Sequence, residues 1–169
     1  FNIFQMAALN CVVTGGASGL GRAVVGRLLS KRPEAVVASI DLKKTEGIDV
    51  SRSLSIEADV SDEHAIGEAV RKISERFSGR VDVLVNCAGI ACAYRTYNHS
   101  KQRVHNLDDF KKVLNANVVG TFNVIRLLCP LLIPDNKMAV DLPYTSKELE
   151  EMENELDPSS TQELEKPTP

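Results

Sequence analysis

The chain carries Thr14-Gly15-Gly16-Ala17-Ser18-Gly19-Leu20-Gly21 between an apolar run, residues 8–13, and a helical pattern that begins near Leu20. Gly15, Gly19 and Gly21 leave three positions of a sharp strand-to-helix turn without a Cβ. Such a turn lets backbone N–H groups, backed by the positive end of the helix, approach a pyrophosphate. The spacing is Gly-x3-Gly-x-Gly rather than Gly-x-Gly-x2-Gly, and a tight strand–helix connection would use the same residues with no ligand at all. A second group weighs between these readings. Asp41 closes the next apolar run, residues 35–40, about twenty residues after the last glycine, where a dinucleotide fold places a carboxylate for the adenosine ribose hydroxyls.

Several elements must position these groups. Leu20, Val24, Val25, Leu28 and Leu29 make an apolar helix face that ends before Pro33. Residues 53–58 alternate as a short strand closed by Asp59-Val60, and Ser61 is a candidate N-cap. Ile66, Val70, Ile73 and Phe77 repeat at helical spacing up to a stop at Gly79. Residues 81–85 read as a buried strand running into Asn86-Cys87-Ala88-Gly89, followed by a loop over 90–106 and a long helix over 107–128 that breaks at Pro130. The alternation of strands and helices predicts an α/β, Rossmann-like, doubly wound parallel sheet of about four strands with helices on both faces. Beyond Leu131 the pattern stops. Met138-Ala139-Val140 is too short for a strand. Thr145-x-x-Glu148 has capping-box spacing ahead of a narrow stripe of Leu149, Met152 and Leu156. The chain divides into a dinucleotide-binding domain over 1–130 and an acidic, partly disordered tail over 131–169.

The totals are those of a globular chain with a proper core: 169 residues, 43% hydrophobic, 25% charged. The net charge of −3 is unevenly spread, since nine acidic and two basic residues from Asp141 onward give −7 and leave +4 on residues 1–140. That body is too weakly basic to argue for nucleic acid. No uninterrupted apolar run approaches the ~20 residues of a membrane span. Phe1 suggests an incomplete or processed start, with Met6 a possible initiator. Cys11, Cys87, Cys92 and Cys129 show no metal-ligand spacing and no disulfide framework; they read as small hydrophobic core residues in a reducing compartment.

The block from Thr14 to Gly21, together with Asp59-Val60, Asn86-Cys87-Ala88-Gly89 and Asn117, resembles the short-chain dehydrogenase/reductase family. Within it the chain is most similar to the type-2 3-hydroxyacyl-CoA dehydrogenases, the 17β-hydroxysteroid dehydrogenases of type 10, over about residues 8–128. The further points of likeness are Val81-Asp82, Ile90-Ala91, Thr96-Tyr97-Asn98 and the run from Gly120 to Leu127. The resemblance implies that Gly15, Ser18, Leu20 and Gly21 line the pyrophosphate turn and that Asp41 holds the ribose. It implies further that Asp59 and Val60 flank the adenine and that Cys87, Ala88 and Gly89 pass beneath the cofactor. Asp59 could equally just end a strand. Asp41 should repel a 2′-phosphate, which implies NAD as the cofactor. Asn117 matches the family's proton-relay asparagine; from the residues alone it reads as a solvent-facing or locally bonded side chain. A mitochondrial setting, or otherwise a cytoplasmic one, and assembly with itself or with full-length related subunits follow from the same resemblance.

The family's reaction, NAD-dependent oxidation of a secondary alcohol, uses a serine on the next strand and Tyr-x3-Lys on the next helix. No match to these stands after the asparagine helix. Tyr97 and Lys101 have the spacing but precede that helix, and Tyr144 and Lys147 are one residue too close. The chain is therefore expected to bind NAD without catalysing turnover, as a silent NAD-binding or subunit-interaction protein, with an unpaired sheet edge at residues 81–85.

Overall fold

A computed structural model describes residues 8–133. Four parallel strands form one sheet in the order β3-β2-β1-β4: β1 is Leu9–Thr14, β2 Ala35–Asp41, β3 Ser53–Glu57 and β4 Val83–Asn86. Helix α1 (Gly19–Lys31) connects β1 to β2, and α2 (Glu63–Phe77) connects β3 to β4. The expected Rossmann-like, doubly wound but incomplete sheet is what forms.

The two-residue period of the strands decides which helix each side chain meets. Cys11, Val13 and Val37 pack with Val25 of α1 on one face, joined by Val83 and Val85. Val12, Ala38 and Ile40 point the other way, into a larger core with Ile66, Val70, Ile73 and Phe77 of α2. Leu20, expected on the packed face of α1, is 81% exposed instead. Buried Asn10 ties the layers at their amino-terminal end: its side-chain amide donates to the carbonyls of Phe77 and Arg80, and its backbone N–H donates to Asp82. Strand β4 is the sheet's edge and pairs only with β1 among the described residues.

The long helix differs from the expected single run. It comprises α3 (Leu107–Leu114), a π turn over Asn115–Val119 and α4 (Gly120–Leu132). It does not break at Pro130. Val124, Leu127, Leu128 and Leu131 are buried on either side of that proline, and the Leu131 carbonyl accepts from Val81 N–H at 2.8 Å. Those contacts offset the backbone hydrogen bond that a proline removes. The 26-residue helix Leu107–Leu132 is long and apolar enough to cross a membrane on length and composition alone. Its buried face, however, is packed on α2 and the sheet.

Smaller differences have local causes. The cap of α2 is Asp62, whose carboxylate accepts from Ala65 N–H, whereas Ser61 bonds back to Asp59. The loop over 90–106 contains a small hairpin, β5 (Tyr97–Asn98) against β6 (Arg103–Val104), turned by Gln102 at φ 49°. Strands β3 and β4 run over Ser53–Glu57 and Val83–Asn86 rather than the expected 53–58 and 81–85. The cysteines are not a set of core thiols. Only Cys11 is buried, with its thiol pushed up to about 11 by burial and by the nearby Asp82, while Cys92 and Cys129 are exposed. The tail, including Tyr144, Lys147 and the expected helix over 146–156, lies outside the described residues.

Candidate cofactor site

The carboxyl ends of β1, β2 and β4, with the turn after β3, open onto one cleft of about 600 Å³. Its first wall is the glycine turn. Gly15 has φ +70°, and a Cβ there would stand 2.7–2.8 Å from the backbone of Cys87 and Ala88. Only glycine permits both that dihedral and that approach. A Cβ on Gly21 would lie 2.1 Å from the Gly15 carbonyl. Gly21 is thus packed beneath the turn, and it is the one member of the expected set that does not line the cleft. A Cβ on Gly19, at φ +50°, would meet nothing within 4 Å.

Thr14 fixes the opposite wall. Its hydroxyl accepts from the N–H groups of Cys87 and Ala88, each at 3.1 Å, and so clamps the segment after β4 to the end of β1. Asp41, at the tip of β2, accepts from Ala17 N–H at 3.0 Å and from Lys43 N–H at 3.2 Å. Both carboxylate oxygens are anchored, and the side chain is aimed along the rim beside the glycine turn. Ser18 stands at the N-cap of α1 without using its side chain as a cap, and no acidic residue occupies the first turn. The positive end of a 13-residue helix therefore faces the cleft without a competing carboxylate.

The far wall is held from α4. A Cβ on Gly120 would stand 2.5 Å from Val60 Cγ2, and Asn123 donates its amide to the Val60 carbonyl at 2.9 Å. Arg126 then bridges Asn123 and Glu63. Asp59 accepts from the N–H and hydroxyl of Ser61, which turns the chain between β3 and α2. At the mouth, Asn117 accepts from Ile90 N–H at 2.8 Å and donates to the Ile90 carbonyl at 2.9 Å. Its side chain is exposed, yet it is bonded to a loop 27 residues earlier rather than to its own turn.

Gly15, Ser18, Leu20, Asp41, Asp59, Val60, Cys87, Ala88 and Gly89 all line this one cleft. Gly19, the remaining glycine of the turn, lines it as well, and so do Leu42, Ala58, Ser61, Ile90, Lys112, Asn115 and Ala116, which were not foreseen. Leu42 was legible, being next to Asp41. Asn115 and Ala116 reach the cleft from the π turn and Lys112 from the end of α3 just before it, and no sequence signal encodes that. Tyr97 is not part of the cleft; its hydroxyl bonds to Gln102 at 2.6 Å inside the hairpin.

A parallel sheet with a glycine turn, an anchored carboxylate on the second strand and a cleft along its carboxyl edge defines a Rossmann-like α/β domain. The short chain dehydrogenase family matches residues 10–140, and this chain belongs to that family. It is 46% identical over 129 residues to the 3-hydroxyacyl-CoA dehydrogenase type-2 of Bos taurus, covering 73% of this chain and 48% of the relative. The enzyme of the same name from Drosophila melanogaster is 43% identical over 126 residues, covering 72% and 48%. Among solved structures, the 3-ketoacyl-(acyl-carrier-protein) reductase of Brucella melitensis, complexed with NADH, superposes with a TM-score of 0.64 at 28% identity, covering 74% of this chain and 50% of that one. The chain spans about half the length of the curated relatives it matches.

Replacing Thr14 by valine keeps the shape and removes the acceptor, leaving the N–H of Ala88 without its partner. Thr14→Val is expected to cost about 2 kcal/mol in urea unfolding, with Thr14→Ser recovering most of it. Equal stability of wild type and Thr14→Val would show that the clamp does not hold the cleft.

Proposed function

We propose that this chain is the NAD-binding half of a short-chain dehydrogenase whose full family reaction is oxidation of a secondary alcohol, with 3-hydroxyacyl-CoA or hydroxysteroid substrates favoured by the relatives it resembles. The observation that carries the reading is the pairing of the uncapped α1 terminus with the anchored Asp41 carboxylate across one cleft. In this reading the N–H groups of the glycine turn hold the pyrophosphate, and Gly19 leaves the space it needs. Asp41 accepts from the two ribose hydroxyls. Asp59 and Val60 border the adenine, held there by Gly120 and Asn123. Cys87, Ala88 and Gly89, clamped by Thr14, form the floor. When bound, the nicotinamide supplies the hydride acceptor.

Two residues argue against turnover by this chain alone. Tyr97 has its hydroxyl committed to Gln102 and lies outside the cleft. Asn117, matched to the relay position, has both side-chain groups committed to Ile90. Neither side chain is therefore free to move a proton at the alcohol oxygen, a step that typically supplies 10²–10⁴-fold. The reading is of a chain that binds the cofactor and is silent in catalysis.

Calorimetry should show NAD bound at least about tenfold more tightly than NADP, a difference of ~1.4 kcal/mol, because the Asp41 carboxylate repels a 2′-phosphate. Asp41→Ala should narrow the gap, and equal affinities in the wild type would refute the assignment. NADH formation with a 3-hydroxyacyl-CoA or a 17β-hydroxysteroid should be undetectable. Turnover abolished by Tyr97→Phe or Tyr144→Phe would reveal an active site that this reading denies.

A further inference from the structure

The end of α3 presents a charge to the cleft. Lys112, Asn115 and Ala116 all line the cavity, and their spacing of i, i+3 and i+4 puts them on one side of the helix. Lys111, one residue earlier, does not line it. Lys112 is the one basic side chain on the walls among the described residues, against two acidic ones, Asp41 and Asp59. Two ordinary roles for a lysine at this place are closed. In the last turn of a helix a lysine complements the free carbonyls of the C-terminus. Here α3 has no free end, because the helix runs on through the π turn to Leu132 and Asn115 N–H donates to the carbonyls of Lys111 and Lys112. A lysine four residues after an aspartate pairs with it on the helix surface. Asp108 holds that position, yet Lys112 makes no ion pair among the described residues. The cleft's own carboxylates do not take it either: Asp41 accepts from the N–H groups of Ala17 and Lys43, and Asp59 from Ser61.

An unpaired cation on the wall of a cleft is a receptor for negative charge. Two carboxylates against one ammonium would by themselves disfavour an anion in this cavity. The uncapped start of α1 offsets this at the glycine turn through partial charges alone. Lys112 adds the one full positive charge, from a different wall. On the reading that this cleft receives a dinucleotide, we propose that Lys112 is a further cofactor-binding residue, which holds the pyrophosphate by charge from the α3 side. An ammonium on a four-carbon stem meets a phosphate oxygen as a point charge, without the fixed fork geometry of an arginine. Its pull reaches about 8–10 Å at moderate ionic strength and is weakened by salt.

The test is a set of amide-shift titrations of the full chain with NAD, ADP and adenosine, on wild type, Lys112→Gln, Lys112→Arg and Lys111→Gln. Both lysines are exposed, so the substitutions leave the core intact, and Lys111→Gln removes the same charge from the same turn of helix outside the cleft. NAD and ADP should bind Lys112→Gln about three- to fivefold more weakly than wild type at low salt, the size expected of one exposed charge contact. At about 0.5 M salt that difference should shrink below about twofold. Lys112→Arg and Lys111→Gln should stay within about twofold of wild type, and adenosine, which has no phosphate, should bind all of these proteins alike. If wild type binds NAD and ADP but Lys112→Gln is no weaker than Lys111→Gln, the role of Lys112 is overturned while the cofactor reading stands. An equal loss for adenosine would overturn the phosphate contact, since it would set Lys112 against the base or the ribose. A wild type that binds neither NAD nor ADP would overturn the cofactor reading itself, and the proposal with it.

Discussion

Thr14 Oγ1 sits between the ends of two neighbouring strands and accepts the first two N–H groups that leave the second of them. That hydroxyl and the missing Cβ of Gly15 together let the backbone after β4 lie against the backbone after β1. This contact sets the floor of the cleft beside the glycine turn. A side chain at position 15 would push Cys87 and Ala88 outward, and an apolar residue at 14 would leave a backbone donor without a partner, a loss of about 1–3 kcal/mol.

The other wall is held from a distance, by the long helix. Gly120 admits Val60, Asn123 takes the Val60 carbonyl, and Asn117 takes both polar groups of Ile90. Three poor helix formers within seven residues would weaken an isolated helix. Here each is used by something outside the helix, and the π turn gives Asn117 and its neighbours directions that a regular helix would not. The local helix is less favourable so that the loops around the cleft are fixed.

Much of this was legible in the sequence. Residues 8–14 and 35–41 are apolar runs ended by polar groups, and Gly15, Gly21 and Asp41 mark where each strand must turn. Fold class follows from such signals, because backbone constraints at glycine and at strand ends are local, and nine cleft residues follow from the family resemblance that the same motifs carry. What was not legible is set by tertiary contact. Pro130 reads as a helix breaker, yet buried Leu127 and Leu131 carry the helix past it. Ser61 reads as a cap, yet Asp59 takes its N–H and hydroxyl, and the cap passes to Asp62. The hairpin at residues 97–104 has no apolar pattern to announce it. The exposure of Leu114, Val118, Phe122 and Ile125 could not be read from periodicity, which finds an apolar face without saying what covers it.

The central claim, that one cleft along the carboxyl edge of the sheet receives the dinucleotide, is tested most directly by titrating ¹⁵N-labelled chain with NAD and following backbone amide shifts. The account predicts saturable shifts centred on the four segments of the rim: Gly15 to Leu20, Asp41 and Leu42, Asp59 to Ser61, and Cys87 to Ile90. Saturable shifts centred on the hairpin or on the exposed face of α3, or no saturable shifts at all, would contradict it.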